Sequence, residues 1–189
     1  RERIAAAKRI ANPGCHASGF VALVEPLVRS RLITVNERLT AFSLTGYSGG
    51  GKKMIADYEN DEIKSSLEAP RMYGLTQQHK HLPEMQAVSG LKFKPMFNPM
   101  VCDYFSGMVV SVPIQTRMLA EGTTPEKVHE MFAKHYEGSN MVEVMPLMSH
   151  DEQKSFFLAS NTLSGVNKMQ IFVFGNDEPI LVCSRLDNI

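Results

Sequence analysis

Apolar side chains recur at Phe20, Leu23, Val24, Leu27 and Val28, a helical spacing that predicts an amphipathic helix beginning near Cys15. The turn signal Asn12-Pro13-Gly14 precedes it, and Pro26 inside it is expected to remove one backbone bond and kink it. Upstream, Arg1–Ile10 is an Ala-rich, basic, helix-like stretch. Downstream, Leu39–Leu44 reads as a strand running into the glycine-rich Thr45–Gly51. Lys52–Glu68 is mixed, with a charged Tyr58–Lys64 segment expected as a solvated loop or short helix. Pro83 suits the first turn of a helix ending near Gly90. Lys92–Phe97 and Met108–Ile114 read as strands. Thr123 and Glu126 stand at capping-box spacing, with Pro125 in the first turn, so a helix carrying Val128, Met131 and Phe132 starts there and stops at Gly138. Met141–Met145 is a short strand, and Met169–Phe174 and Ile180–Arg185 flank a five-residue hairpin loop, Gly175–Pro179. Strands outnumber helices, with no regular βαβ alternation, no internal repeat and no low-complexity linker. The pattern predicts one α+β domain over residues 1–189, a mixed, largely antiparallel sheet covered by a few helices.

Composition narrows the classes of function. Of 189 residues 43% are hydrophobic, enough for one sizeable core. Twenty basic residues balance twenty acidic ones, which gives no electrostatic reason for a nucleic-acid or anionic-membrane partner. No run approaches the roughly 18 apolar residues of a membrane span. The twelve methionines and the Phe156-Phe157-Leu158 triplet read as core filling. Three sparse cysteines form neither a disulfide framework nor a paired zinc spacing, so a cytoplasmic setting without a metal is expected. The chain opens on Arg1 and ends at Ile189 without tail-like composition, so a piece of a longer protein is expected.

Candidate chemistry sits in three places. Cys102 and Cys183 read as small buried hydrophobes. Cys15 falls at a helix start, where unpaired N–H groups and the helix dipole lower a thiol pKa; position leaves open a nucleophile or a buried structural cysteine. Gly46–Lys53 matches the spacing of a phosphate-binding loop, but Lys53 stands where Ser or Thr would hold magnesium, and the dinucleotide glycine fingerprint is absent. Such a loop still cradles a smaller oxyanion, with Lys52 or Lys53 nearby, or is a plain surface turn. His79 and His81 read as acid/base candidates or as exposed loop histidines. His16, His129, His135 and His150 have no supporting pattern.

Asn12-Pro13-Gly14-Cys15-His16-Ala17-Ser18-Gly19-Phe20 resembles the active-site segment of the N-acetyl-γ-glutamyl-phosphate reductases, NADPH-dependent enzymes of arginine biosynthesis. Ser43–Gly51 is similar to that family's Ser/Gly-rich loop, His79-Lys80-His81-Leu82-Pro83-Glu84 to its His-Arg-His-x-Pro-Glu element, and Leu186-Asp187-Asn188-Ile189 to the start of its Asp-Asn-Leu-x-Lys-Gly segment. The order matches over Ile10–Ile189, and the middle region resembles the second subtype. His16, Ala17 and Ser18 depart from the aromatic-Pro-Thr that often follows the cysteine. The resemblance implies the catalytic-domain fold of the glyceraldehyde-3-phosphate and semialdehyde dehydrogenases, with Cys15 as nucleophile and His79 as acid/base. More weakly, it implies Asn188, Gly49 and Gly50 toward the cofactor, and Ser48, His81 and Glu84 toward the substrate. It also implies NADPH as cofactor, a small acyl phosphate as substrate and homo-oligomerisation through the sheet. The NADP-binding domain of about 150 residues would lie outside this chain, leaving the chain alone inactive. Two rivals stand beside this: aspartate-semialdehyde dehydrogenase or another acyl-phosphate reductase of the same architecture, and an inert assembly module.

Overall fold

A computed structural model describes residues 2–148 and 157–188. Arg1, His150, Phe156 and Ile189 lie outside the described residues. The elements, in order, are α1 (Glu2–Ala5), α2 (Cys15–Arg29), β1 (Thr40–Gly46), α3 (Gly51–Tyr58), β2 (Arg71–Met72), α4 (Leu82–Ser89), β3 (Met96–Cys102), β4 (Met108–Gln115), α5 (Pro125–His135), β5 (Val142–Val144), β6 (Met169–Gly175) and β7 (Pro179–Leu186). Among the described residues the strands form one seven-stranded sheet in the order β2-β3-β1-β4-β7-β6-β5. β1 runs parallel to β3 and β5 to β6, while the other four pairings are antiparallel. The mixed, largely antiparallel α+β architecture expected from the pattern is the one observed.

Period-2 alternation decides which side of the sheet is covered. Ala41, Phe97, Val110, Val112, Ile114, Ile180, Val182, Ile171 and Val173 project to one face and form the main core with Phe20, Leu23, Val24 and Leu27 of α2. Each of those four helical side chains contributes about 1.5–3 kcal/mol relative to exposure. α2 lies across β4 and β7, α4 packs on α2, and α5 packs on β6. Gly19 sets the closeness of that packing, since a Cβ there would stand 2.6 Å from Val110 Cγ2. The other face is partly open: Phe42 is 41% and Met96 60% exposed, while Val109, Phe172 and Cys183 make a smaller cluster packed against Leu158.

Pro26 leaves the carbonyl of Ala22 without its helical donor. The Tyr136 hydroxyl supplies one, donating to Ala22 O at 2.8 Å.

Several boundaries differ from the sequence reading. The strand expected over Lys92–Phe97 lies over Met96–Cys102 instead, and Pro99 is tolerated because its carbonyl, and so its missing N–H side, faces the short β2 edge, where Tyr73 N–H donates to Pro99 O. The glycine-rich segment becomes a 3-10 turn (Tyr47–Gly50) and the start of α3, in place of a continuous loop. Tyr58 is buried and stacked on Tyr47 at 4.5 Å, so the solvated segment begins only after it. The cap of α5 is Thr124, whose hydroxyl accepts from Lys127 N–H at 3.4 Å; Thr123 donates instead to Ala120 O. The hairpin is tighter than expected, with Asn176–Glu178 between the strands.

Candidate active site

Four segments converge on a cavity of about 630 Å³ above the ends of β1, β3 and β7. The first is the start of α2. Cys15 is its first residue, and Gly14 before it is extended at φ −70° and ψ 144°. The second is the loop before α4, which brings His79, Lys80 and His81 to the wall. Glu84, in the first turn of α4, ties the two together: its carboxylate accepts from Gly14 N–H at 3.2 Å. The His81 ring lies flat against Gly14, where an added Cβ would fall 2.0 Å from its Nε2. Glycine is therefore demanded before the cysteine by the histidine opposite, not by an unusual φ.

Burial raises the Cys15 thiol above its ordinary pKa; the backbone N–H groups of His16 and Cys15 and the charge of Lys80 pull it back without cancelling. This corrects the expectation of a net-lowered thiol: the helix start does lower it, but removal from water costs the thiolate more. His79 and His81 are both held below the usual imidazole value, first by burial. The His81 backbone N–H donates to His79 Nδ1 at 3.3 Å, which keeps the neutral His79 proton on Nε2. His81 Nδ1 is buried with no hydrogen-bond partner among the described residues.

The third and fourth segments are the glycine turn after β1 and the residues after β7. Gly49 and Gly50 line the cavity, as does Asn188. The Asn188 carboxamide donates to Thr45 Oγ1 and Gly46 O, both at 3.0 Å, and accepts from Gly107 N–H at 2.8 Å and Ser48 Oγ at 3.4 Å. It locks the turn to the end of β7. A Cβ on Gly49 would stand 2.9 Å from its Nδ2. Ser48 touches the site through Asn188. Lys52 and Lys53 are exposed on α3 outside the cavity wall, so among the described residues the lysine lining the site is Lys80. Among the described residues no group of three His, Cys, Asp or Glu side chains is arranged to hold a metal ion.

His16 carried no signal in the sequence, yet it is among the most constrained residues of the site. It is buried, its Nδ1 2.7 Å from Ser43 Oγ and its Nε2 2.6 Å from Tyr73 Oη. Burial, followed by the charges of His81, His79 and Lys80, lowers its pKa to about 3. Tyr73 was also missed; the only available signal was its place shortly before the His79–His81 pair. His129 and His135 lie on α5, where His129 Nε2 pairs with Met145 O.

The family model described as "Semialdehyde dehydrogenase, dimerisation domain" matches residues 15–188. The chain belongs to the semialdehyde dehydrogenase family. Within it, the chain is 38% identical over 190 residues to an N-acetyl-gamma-glutamyl-phosphate reductase of Sinorhizobium medicae and 39% identical over 191 residues to that of Rhizobium meliloti. It is 36% identical over 196 residues to N-acetyl-gamma-glutamyl-phosphate reductase 2 of a Nostoc species. These alignments take in 99–100% of the chain but 61% of each relative, so the chain spans about three-fifths of the length of the curated relatives it matches. Aspartate semialdehyde dehydrogenase II from Vibrio cholerae shares the fold, with a TM-score of 0.65 at 16% identity over 95% of this chain and 57% of that one.

Proposed function

We propose that the chain is the catalytic and self-associating part of an NADPH-dependent N-acetyl-γ-glutamyl-phosphate reductase of the arginine pathway. The observation that carries this reading is a cysteine on the first turn of a helix, inside a cavity walled by three imidazoles and a lysine. The names of relatives aligned over essentially the whole chain support the substrate.

In the biosynthetic direction the Cys15 thiolate attacks the acyl-phosphate carbonyl carbon. The bond from that carbon to the phosphate oxygen breaks, phosphate leaves with the electron pair, and a thioester remains on Cys15. Lys80 stands where it offsets the charge of the departing phosphate. The glycine wall, which a side chain at Gly49 would obstruct, and the fixed Asn188 carboxamide fit the nicotinamide end of the cofactor. When bound there, the reduced nicotinamide supplies the hydride that takes the thioester to the aldehyde level. The oxygen of the resulting thiohemiacetal takes a proton from an imidazolium and returns it on collapse, when the carbon–sulfur bond breaks and the thiolate leaves.

We assign that imidazole to His79. A second reading is favoured by one observation: His79 Nδ1 already accepts a backbone bond, which fixes a proton on Nε2, whereas His81 Nδ1 has no partner among the described residues. Replacing each by Asn in the full-length enzyme separates the two. Loss of on the order of 10²–10⁴ in rate at His79, with a small effect at His81, supports the assignment; the reverse moves it to His81.

The substrate is tested by NADPH oxidation with N-acetyl-γ-glutamyl phosphate against β-aspartyl phosphate. Better turnover of the second would make the protein an aspartate-semialdehyde dehydrogenase. The cofactor-binding domain, on this reading, belongs to the remainder of the full-length enzyme, so the 189-residue chain alone is expected to bind copies of itself without oxidising NADPH. A cytoplasmic location goes with the free, reduced thiol the chemistry requires.

A further inference from the structure

Ser43, His16 and Tyr73 form a buried chain of hydrogen bonds whose direction is set by a proton count. Ser43 Oγ, on β1, is 1% exposed and has His16 Nδ1 as its only hydrogen-bond partner among the described residues. A buried hydroxyl that only accepted would leave its own proton unbonded, which is costly. Ser43 therefore donates to Nδ1, which places the imidazole proton on Nε2, and that proton is donated to Tyr73 Oη at 2.6 Å. The Tyr73 oxygen then has its acceptor side filled, and its own O–H is left to point onward. Tyr73, His16 and Cys15 line the same cavity, and the charge of Cys15 acts on the Tyr73 phenol, which burial and that charge both keep protonated.

We propose that Ser43 and His16 are positioning residues that orient the Tyr73 phenol so that its O–H dipole points into the cavity it shares with Cys15 and favours the thiolate there. A neutral His16 is required, because an imidazolium would donate from both nitrogens and turn Ser43 away. The dipole strengthens the thiolate in a site where burial disfavours it, adding to the N–H groups of Cys15 and His16. The other charged or titratable groups at Cys15 are His79, Lys80 and His81 from the loop before α4, Glu84 through Gly14, and Asp187 after β7.

The inference rests on Cys15 being the reactive thiol, and the experiment separates the two. The rate of iodoacetamide alkylation of Cys15, followed by peptide mapping in the intact protein, is measured from about pH 6 to about pH 10. Tyr73→Phe is expected to move the inflection up by about one pH unit. His16→Phe is expected to do the same, and His16→Gln, whose amide still donates to Tyr73, to move it less. In a Tyr73→Phe background, His16→Phe should add no further shift, because it acts only through the phenol. An unchanged inflection in Tyr73→Phe, with Cys15 still alkylated, overturns the relay and leaves the nucleophile standing. Independent, additive shifts from His16 and Tyr73 also overturn it. No alkylation at Cys15 in the unaltered protein overturns both. A melting curve on each variant confirms the fold, and His16→Gln supplies the folded comparison if His16→Phe does not fold.

Discussion

At Cys15 two effects oppose each other. The start of α2 and Lys80 favour the thiolate, and burial disfavours it; burial wins, so the thiol is raised. The expected consequence is that thioester formation accelerates with rising pH well past neutrality, because each step upward enlarges the thiolate fraction. A single-turnover pH profile of phosphate release tests this, and a rate flat from about pH 6 to about pH 9 would contradict it. Cys15→Ser should abolish turnover, since an alkoxide is not populated near neutrality; activity within about tenfold of the unaltered enzyme would remove Cys15 as nucleophile. His16 gives a stability prediction of definite sign. Its folded pKa, about 3, lies below the ordinary 6.5, so the unfolded chain binds the proton first as pH falls. Stability is fully present above about pH 6.5 and is lost progressively from there toward pH 3, by an amount on the order of 4 kcal/mol. Urea unfolding along that range should show the loss, and His16→Gln should flatten it; equal slopes in both proteins would show that His16 is not its source. Sequence alone exposed Cys15 and the histidine pair, because a cysteine after Pro-Gly and two histidines before a proline are local signals. It did not expose His16 or Tyr73: His16 lies 27 positions from Ser43 and 57 from Tyr73, and the packing of α2 on the sheet together with the β2–β3 and β1–β3 pairings brings them together.

At the scale of elements, legibility followed how local the determinant was. The start of α2, the αL glycine ending α4 at Gly90 and the β6–β7 hairpin were readable because turn residues sit next to apolar runs. β3 was misplaced because Lys92-Phe93-Lys94 alternates like a strand, yet Arg38 lies over the Phe93 ring at 3.8 Å and the chain turns there. Its pairing with β1, which fixes the true span, is invisible to local pattern. α2 shows how a predicted flaw is repaired. Pro26 was expected to free a carbonyl, and the residue that satisfies it, Tyr136, is 114 positions away from Ala22. Tyr136→Phe should therefore destabilise the protein by about 1–3 kcal/mol, more than the loss of an ordinary surface hydroxyl, because it strands a helix carbonyl beneath α5. Chemical denaturation measures this; a change under about 0.5 kcal/mol would mean that water replaces the phenol.

At the scale of the molecule, helices cover one side of the sheet and leave the other unequally covered. Across β3, β1, β4 and β7 the register aligns Asn98, Phe42, Ser111 and Cys183 in one row and Met100, Leu44, Val109 and Arg185 in the next. Arg185 is buried, donating to Gln170, Ala159 O and Thr162, so the outward part of this face over β1 and β3 presents Phe42, Leu44, Met96 and Met100 without a charged side chain among them. An exposed apolar sheet face of this composition marks an interaction surface, and the matching family model describes a dimerisation domain. The occupant we propose is a second copy of the same face, packed on it as a two-fold-symmetric sheet-on-sheet contact. The site and this face share β1: Ser43 and Thr45 point to the cavity side and Phe42 and Leu44 to the outside. Phe42→Asp adds a charge on the outer side without touching the His16–Ser43 bond. It is expected to convert the oligomer to monomer in size-exclusion chromatography with light scattering, while Cys15 keeps its alkylation profile. An oligomer of unchanged mass would place the self-association elsewhere on the molecule, and a monomer whose Cys15 profile also shifts would show that the second copy shapes the site through β1.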